Sequence, residues 1–480
     1  MHFPTRVLSW MLLGLALATA SASPAANAPE VPDKKARREL ATKILGDTEL
    51  TEVVRRARTL LKTGLNAGEG YGEVWIRDLN TFIELYLSTQ DPKPVREALL
   101  TFLKFQGPQG DIVDGFIPEA KASVSYKYRK SVLVPGLLAH KNTVETDQES
   151  SLVQAFAKYV RITRDRKILE EEIAGTKVLD RLWMALEYLT KERFDAKHGL
   201  IWGATTVDWG DVQPEHEWGV ELDANSHRSI DIYDNAMFLV AMRDMGRELD
   251  RRSNQPMPGG NSHGPTILLA AGRADSVVRQ NVREHLWDAK RQKFIPHLYL
   301  DGSPFPAEFD ESAIWYHGGT AVAIEAGLLE PDEIRASLAG MRANVKAAGA
   351  ASIGLTVYPP YPDGMFKNKG MRAWSYQNGG DWCWFGGRMV QQLIAYGMIE
   401  DAYTELKPMV SRVIRKNGFY EWWTRDNQPK GSGQFRGSAG VLGLAINNLL
   451  DWARNEAQEP PVVVPKDGGG HTPPSLPGGK

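Results

Sequence analysis

The sequence predicts an all-α fold, an (α/α)6 toroid built from six helical hairpins. Apolar residues recur at spacings of three and four in about eleven or twelve segments over roughly 420 residues, and no long Val/Ile alternation indicates a large sheet. Some segments are charged on one face, as in "TELTEVVRRARTLLK", whereas others are almost wholly apolar, as in "GSAGVLGLAINNLL". Helices covered on both sides lose their polar face, so this contrast is typical of the outer and inner helices of a double ring. A two-domain α-solenoid is the main alternative.

The two ends of the chain differ from this helical part. Arg6 followed by "VLSWMLLGLALATA" and by "ASA" at 20–22 predicts a signal peptide over residues 1–22. The apolar run is short for a membrane span, so we expect no anchor after cleavage and a secreted or periplasmic protein. A linker (23–34), a single toroid domain (35–457) and a disordered Pro/Gly-rich tail (458–480) complete the predicted organisation.

Composition excludes several classes of function. Lys and Arg number 57 against 59 Asp and Glu, so no basic surplus indicates a nucleic-acid partner. The lone cysteine, Cys383, allows no intramolecular disulfide, which a large exported protein tolerates. No glycine motif follows a strand and no Cys/His cluster has ligand spacing, so neither a cofactor nor a metal is expected. The sequence leaves the oligomeric state open.

Unusual loops precede several of the helices. They mix aromatic residues, carboxylates or amides, and glycine, as in "YGEVWIRD", "DIVDGFIPE", "AIWYHGGT" and "WSYQNGGDWCWFGG". Such loops at one rim of a ring would form a pocket. The flat apolar faces of tryptophan suit a sugar ring, and carboxylates and amides bind hydroxyl groups. We therefore expect a carbohydrate ligand, and hydrolysis of a glycosidic bond would need two carboxyl groups.

Four of these segments resemble six-hairpin glycosidases. "WIRD" before an apolar helix is similar to the first inner-helix motif of alkaline/neutral invertases, glucoamylases and glycogen-debranching glucosidases. "YQNGGDWCWFGG" resembles an invertase Y-H-N-G-G-x-W segment, with Gln377 in place of the histidine. "DWGDV" stands where those families, and trehalases more loosely, have an acid-carrying segment. "YEWW" followed by "QFRGSAG" resembles the last inner-helix start. The invertase Asp-Arg-Arg is absent, so the chain is not identified as an invertase.

The resemblance implies a pair of catalytic carboxyl groups. Asp208 is the candidate general acid, since Trp202 and Trp209 nearby could desolvate it and raise its pKa. Asp211 and Glu215 are alternative acids, and Glu421 is the candidate base. The families that the chain resembles imply inversion at the anomeric carbon.

Other residues are candidates for binding the substrate. Arg77 and Asp78 would grip hydroxyls of the sugar, although a buried ion pair without a ligand would also explain them. Asp147 could equally be a helix N-cap, and His317 could be a satisfied core histidine. The full set of predicted substrate-binding residues is Trp75, Arg77, Asp78, Asp147, Trp202, Tyr233, Asn235, His317, Gln377, Asn378 and Trp382.

The leading hypothesis is an exported glycoside hydrolase acting on an oligo- or disaccharide. A sugar epimerase or a polysaccharide lyase on the same toroid is a second hypothesis, although epimerases usually need two pocket histidines and only His317 lies in a candidate loop. A third is a carbohydrate-binding protein without catalytic activity. The sequence does not identify the sugar, its linkage or its anomeric configuration.

Overall fold

The computed structural model describes residues 34–250 and 274–458. The predicted signal peptide (1–22), nearly all of the linker (23–34) and nearly all of the tail (458–480) lie outside these residues. The all-α prediction is confirmed, because helices dominate and the strands are short. The α-helices with defined bounds are α1 (Lys34–Leu45), α2 (Thr48–Leu61), α3 (Ile76–Leu87), α4 (Lys93–Lys104), α5 (Gln148–Thr163), α6 (Val178–Glu192), α7 (Ile232–Asp244), α8 (His317–Glu325), α9 (Pro331–Ala348), α10 (Cys383–Ala395), α11 (Ile399–Lys416) and α12 (Arg436–Ala457).

Six of these helices pack in a closed order. Helix α3 contacts α5, α5 contacts α7, α7 contacts α8, α8 contacts α10, α10 contacts α12, and α12 returns to α3. Buried residues run all along them; in α7 they extend without a break from Ile232 to Met242. The amphipathic helices lie outside this ring, with α2 on α12, α4 and α6 on α5, and α11 on α10. A helix that is covered by neighbours on every side has no face exposed to water and is therefore apolar all round. This explains why the sequence contains both nearly apolar and amphipathic helices.

Glycines in α12 allow the close approach that closes the ring. A Cβ on Gly440 would lie 2.2 Å from the Cβ of Phe82 in α3, and one on Gly443 would lie 2.4 Å from Leu85. Gly440 meets the backbone of Phe82, so alanine there would force α12 away from α3, whereas alanine at Gly443 would displace the tip of the Leu85 side chain. The small residues of "GSAGVLGLA" therefore serve the joint between the last and the first inner helix.

The strands are short and cluster where the inner helices begin. β1 ends directly before α3, and β13 ends directly before α8. Strands β1–β2–β3 form one antiparallel sheet and β8–β9–β12 another, and the rest form two-stranded pairs. Their bounds are β1 (Val74–Trp75), β2 (Gly115–Pro118), β3 (Leu137–His140), β4 (Glu172–Ile173), β5 (Thr176–Lys177), β6 (Phe194–Asp195), β7 (Leu200–Ile201), β8 (Gly203–Ala204), β9 (Arg228–Ile230), β10 (Trp287–Asp288), β11 (Lys293–Phe294), β12 (Leu298–Tyr299), β13 (Trp315–Tyr316), β14 (Val357–Tyr358), β15 (Trp422–Trp423) and β16 (Pro429–Lys430).

None of the helices within the described ranges combines the length and apolarity that crossing a bilayer requires. In the same ranges, no group of three or more His, Cys, Asp or Glu side chains is arranged to hold a metal ion.

Candidate active site

A cavity of about 180 Å³ lies at the rim where the inner helices begin. Its walls come from segments far apart in the chain: the loop and first turn of α3, the segment after α4, the loop after β8, and the starts of α10 and α12. We call this space the rim cavity. It is lined by Tyr71, Trp75, Arg77, Asp78, Asp114, Tyr126, Trp209, Asp211, Val220, Tyr376, Gln377, Trp382, Trp384, Glu421 and Phe435.

The rim cavity brings together a large part of the predicted site. The predicted residues that line it are Trp75, Arg77, Asp78, Asp211, Gln377, Trp382 and Glu421. They span most of the sequence, and they meet because each precedes or begins an inner helix or belongs to the loops between them.

Arg77 is held in place by three carboxylates, of which Asp114 lines the cavity and Glu145 and Asp147 lie behind its wall. Its guanidinium forms a short ion pair with Glu145 and lies 3.8 Å from Asp114 and 3.7 Å from Asp147. Asp147 in turn accepts a hydrogen bond of 2.9 Å from the Tyr233 hydroxyl. Burial disfavours the charge on Arg77, but the carboxylates outweigh it and raise the Arg77 pKa. Arg77 is therefore a fixed, permanently charged part of the wall.

Asp78 is a buried carboxyl group with an unused oxygen. Only 4% of it is exposed, and its Oδ1 has no hydrogen-bond partner in the protein. Burial raises the pKa of Asp78 to about 7, with Arg77 opposing the shift and Asp114 and Glu421 adding to it. A buried carboxyl group with a raised pKa destabilises the folded protein when it ionises. Such groups are common in binding and catalytic sites.

Glu421 is positioned by hydrogen bonds to one of its oxygens. Its Oε2 accepts from the Tyr71 hydroxyl at 2.8 Å and from the Ser432 N–H at 3.2 Å. Burial raises the pKa of Glu421, the bonds from Tyr71 and Ser432 lower it, and the charge of Asp211 raises it further. Gly431 allows the tight turn beside it, since its φ is +68° and a Cβ would lie 2.3 Å from Oε2.

A buried ion pair fixes strand β15, which directly follows Glu421. Asp381 exchanges two backbone hydrogen bonds with Trp423, of 2.9 and 2.8 Å. The Asp381 carboxylate is bound by the Arg412 guanidinium, which also lies over the Trp423 ring at 5.0 Å. Because all three residues are almost fully buried, Glu421 and the start of α10 are held in one rigid unit.

Asp211 is the carboxyl group of the acid-carrying segment that reaches the cavity. It is partly exposed and accepts a 2.9 Å hydrogen bond from the Gln377 side-chain amide. Gly210 permits this approach, because a Cβ there would lie 2.6 Å from the Gln377 Oε1.

Asp208, the first candidate for the acid, does not line the rim cavity. Its side chain turns to the start of α8, where both oxygens accept from the Gly319 N–H at 2.9 and 3.0 Å. Its backbone has a φ of +54°. Burial raises the Asp208 pKa well above its usual range, and the hydrogen bonds from the backbone of α8 oppose this shift.

The remaining predicted residues also lie outside the lining. Asp147 and Tyr233 are behind Arg77. Asn235 binds the backbone of Ile201 and Asp231, and Asn378 binds the backbone of Tyr361 and Met371. These amides hold loops in place.

Trp202, His317 and Glu215 have other partners. Trp202 lies under Arg193, with 4.6 Å between the guanidinium and the ring centre. His317 contacts Asn344 at 3.0 Å, and burial lowers its pKa to about 4. Glu215 contacts His227 at 2.6 Å.

Several lining residues were not singled out by the sequence argument. Tyr71, Tyr376 and Trp384 belong to motifs that it quoted, and Asp114 belongs to "DIVDGFIPE", one of the unusual loops. Tyr126 and Val220 stand in segments with no distinguishing pattern, so the sequence carries no signal for them. The lining residues outside the predicted set are Tyr71, Asp114, Tyr126, Trp209, Val220, Tyr376, Trp384 and Phe435.

The rim cavity concentrates buried polar atoms that have no hydrogen-bond partner in the protein. Buried polar groups are almost always paired, so each exception calls for an explanation. Six such atoms belong to lining residues: the indole N–H groups of Trp75, Trp209 and Trp384, Oδ1 of Asp78 and Asp114, and Oε1 of Gln377. The ionisable side chains of the lining apart from tyrosine are one arginine and four carboxyl groups, so the cavity repels anions.

The fold occurs in solved structures of glycoside hydrolases. The GH63 mannosylglycerate hydrolase from Thermus thermophilus in complex with glucose aligns over 82% of this chain and 99% of its own, with 14% identity and a TM-score of 0.57. A rhamnosidase from Klebsiella oxytoca with rhamnose bound aligns over 83% and 64%, with 12% identity and a TM-score of 0.53. The GH78 family rhamnosidase of Bacillus sp. GL1 aligns over 83% and 35%, with 13% identity and a TM-score of 0.55.

No family model matches the chain, and no curated protein sequence matches it. The structural similarities confirm, at the level of the fold, the resemblance to six-hairpin glycosidases that the sequence motifs indicate. At this sequence identity, similarity of fold leaves the chemistry to be argued from the site.

Proposed function

We propose that this protein is a glycoside hydrolase that binds a neutral sugar in the rim cavity and cleaves its glycosidic bond with two carboxyl groups. The observation that carries the proposal is the set of six unpaired polar atoms in the lining. Three are N–H donors and three are oxygen acceptors. A sugar hydroxyl both donates and accepts, so a ring with several hydroxyls could satisfy both kinds, while its C–H faces pack on the aromatic rings.

We assign the carboxyl groups of Asp211 and Glu421 to the chemistry. Asp211 donates a proton to the leaving oxygen, and Glu421 takes a proton from the water that attacks the anomeric carbon. Both hydrogen bonds to Glu421 fall on Oε2, so we assign Oε1 to the water. Inversion is proposed from the resemblance to the invertase and glucoamylase families. The proposed acid therefore lies in the segment that the sequence indicates, but it is the alternative candidate Asp211 and not Asp208.

Arg77 and Asp78 bind hydroxyl groups of the sugar in this proposal. Arg77 is fixed by its carboxylates, and Asp78 offers a carboxyl group that is held by its buried position in the wall. The entropy cost of binding the sugar is low, because both side chains are already fixed before the ligand arrives.

The six inner helices and their outer partners are proposed to form the (α/α)6 barrel of a single domain over about residues 35–457, with α3 as its first inner helix.

The charge of the cavity disfavours the two alternative enzymes. A polysaccharide lyase acts on uronates and needs cations for the carboxylate, but the only lysine or arginine in the described lining is Arg77, already bound by three carboxylates. An epimerase would use histidines, and none is among the residues that line this cavity. A binding protein without catalysis remains the alternative that the experiment must separate.

The proposal is tested by incubating the protein with neutral α- and β-linked di- and oligosaccharides and following the anomeric protons by NMR. We expect hydrolysis of at least one neutral glycoside, with the product anomer opposite to the substrate linkage. A polyuronate serves as the comparison, and an unsaturated product detected by ultraviolet absorbance would favour the lyase. Binding of sugars by calorimetry without turnover of any of them would overturn the hydrolase and favour the binding protein.

We also propose that the protein is exported and that residues 1–22 are removed. The support is the composition of the first residues, which lie outside the described structure. Mass spectrometry of the protein recovered from the periplasm or the medium should give a chain that begins near Ser23. Recovery of a chain that retains Met1 would contradict the proposal.

A further inference from the structure

A column of three stacked rings leads from the protein interior to the surface beside the rim cavity. The buried His140 ring stacks on Tyr126, with 4.0 Å between ring centres and 6° between planes. Tyr126 stacks in turn on Trp218, at 5.5 Å and 25°. Tyr126 lines the cavity, whereas Trp218 is 58% exposed. An indole face left open to solvent next to a polar cavity is unusual, because tryptophan loses more than most residues by exposure.

The segment that carries Trp218 is anchored on both sides. The Val220 carbonyl accepts from the Thr143 N–H at 2.8 Å, and the Leu222 N–H donates to the Thr143 Oγ1 at 2.7 Å. The Gln213 side chain donates to the Glu221 carbonyl at 2.9 Å. These bonds fix the backbone around Trp218, so the exposed position of its side chain belongs to a loop with a defined conformation.

The same loop carries Asp211, the proposed acid. A general acid must lie within hydrogen-bond reach of the leaving oxygen, so the leaving group occupies the side of the cavity that this loop forms. We propose, resting on the proposed function, that Trp218, backed by Tyr126, forms a platform whose open face stacks on a neutral ring in the leaving group of the substrate. The substrate class is then a neutral glycoside whose leaving group is itself a sugar or another ring.

The charges around the platform favour a leaving group that is neutral. Asp114 and Asp211 lie close enough to Tyr126 that their charges, together with that of Glu73, add to the effect of burial in raising its pKa. Glu217 directly precedes Trp218. Lys127, the nearby cation, forms an ion pair with Glu221. Asp114 is paired with Arg77 and His140, so a leaving group with a carboxylate would meet mainly the negative charges of Asp211, Glu73 and Glu217.

The test compares, within each variant, the kcat/KM values for two substrates that differ only in the leaving group. For the disaccharide that the wild type hydrolyses best, kcat/KM is divided by kcat/KM for the methyl glycoside of the same non-reducing sugar. We expect Trp218→Ala to lower this ratio roughly 5- to 10-fold, as loss of one ring stack implies, and Trp218→Phe to restore most of it. Tyr396→Ala removes another exposed aromatic ring, which is not in the cavity lining, and should leave the ratio unchanged. Unfolded protein lowers both rates equally, so it does not affect the ratio.

The outcomes separate the platform from the hydrolase. If Trp218→Ala lowers both rates equally or neither, the platform is refuted while the hydrolase stands. If the wild type hydrolyses no glycoside, the proposed function fails and the platform fails with it. A second measurement tests the charge: a glycoside of glycerol should be cleaved faster than the same glycoside of glyceric acid, and the reverse order would refute the neutral leaving group.

Discussion

The two ends of the inner helix ring each enclose a polar cavity, and the two cavities differ in how their polar groups are paired. The rim cavity, at the helix starts, measures about 180 Å³, and a second cavity towards the helix ends measures about 210 Å³. The second one is lined by charged side chains of both signs, four basic and four acidic: Lys158, Arg161, Arg243, Arg388, Glu84, Asp244, Glu248 and Glu325. Size and polarity therefore do not distinguish them.

Pairing within the protein does distinguish them. Arg388 binds Glu325 at 2.8 Å, Arg161 pairs with Glu84, and Lys158 donates to Asn80 at 2.7 and 2.9 Å. No described residue lining this second cavity contributes a buried polar atom without a partner, whereas the rim cavity has six. Polar atoms left unpaired at a cost to stability indicate a ligand, and paired charges indicate structure.

Glu421→Gln is expected to abolish most hydrolysis of every substrate, with a loss of roughly 10²–10⁴-fold in kcat. Water activation is needed whichever group leaves. Glu215→Gln is the matched control, since Glu215 is bound to His227 outside the rim cavity and should keep near-normal kcat. Equal losses in the two variants would contradict the role of Glu421.

Asp211→Asn is expected to lose roughly 10²–10⁴-fold on natural glycosides and far less on glycosyl fluorides. Fluoride is a good leaving group and hardly needs the proton. Asp208→Asn is the control: an amide oxygen can still accept from the Gly319 N–H, so kcat should change little on either substrate. If Asp208→Asn instead lost activity on natural glycosides and kept it on glycosyl fluorides, Asp208 would be the general acid.

Arg388→Met in the second cavity is expected to lower the free energy of unfolding by about 2 kcal/mol, because it removes the hydrogen-bonded partner of the mostly buried Glu325 and leaves only Lys158 and Arg243 to offset its charge. The kcat per folded protein should stay within about twofold, because the site lies at the other end of the ring. Chemical unfolding and active-site titration measure the two quantities. Arg335→Met, which breaks an exposed pair with Asp332 on α9, should cost less than about 1 kcal/mol.

Asp78→Asn is expected to raise stability near neutral pH while impairing hydrolysis. The pKa of Asp78 is about 7 in the folded state against an ordinary 3.8, so the folded state binds the extra proton and stability falls as pH rises between these values. The amide removes that loss. The unfolding midpoint of Asp78→Asn should therefore exceed that of the wild type by a margin that grows from about pH 4 to pH 7 and then levels off. A margin that shrinks over this range would contradict the assigned pKa.

Tyr71→Phe is expected to move the acidic limb of the kcat/KM profile to higher pH. The Tyr71 hydroxyl donates to Glu421 and lowers its pKa, and a base must be deprotonated to act, so losing this bond raises the pH at which activity begins. Tyr403→Phe is the control, since its hydroxyl binds Asp47 on the outer side of the helices. A shift to lower pH would show that Glu421 is not the titrating base.

Sequence and structure agree where a motif reports a local requirement. "YGEVWIRD" combines a tryptophan, an arginine and an aspartate at the start of an inner helix, and all three line the rim cavity. Trp382, which directly precedes α10, does the same, and Gln377 lines the cavity from the loop before it. A side chain in the first turn of an inner helix has little choice of direction, because the ring fixes the helix axis and the helix fixes its side chains.

Residues in loops were harder to place from the sequence. Asp208, Asp211 and Glu215 share one segment, and only the path of that segment determines which of them reaches the cavity. The turn that has Asp208 at a φ of +54° directs its carboxylate to α8, and three residues later Asp211 meets Gln377. Tyr126 lines the cavity from a segment whose sequence has no distinguishing pattern.

Periodicity and helix geometry act over a few residues, so the order of amino acids alone predicts the helical class, the contrast between inner and outer helices, and the first turns that face the rim. The folded chain is needed to see which carboxyl group of a loop enters the cavity, which charged residues are paired away from it, and that Trp218 stacks beside it. Those outcomes depend on contacts between segments far apart in the chain, and no local pattern of residues encodes the direction in which a loop side chain points.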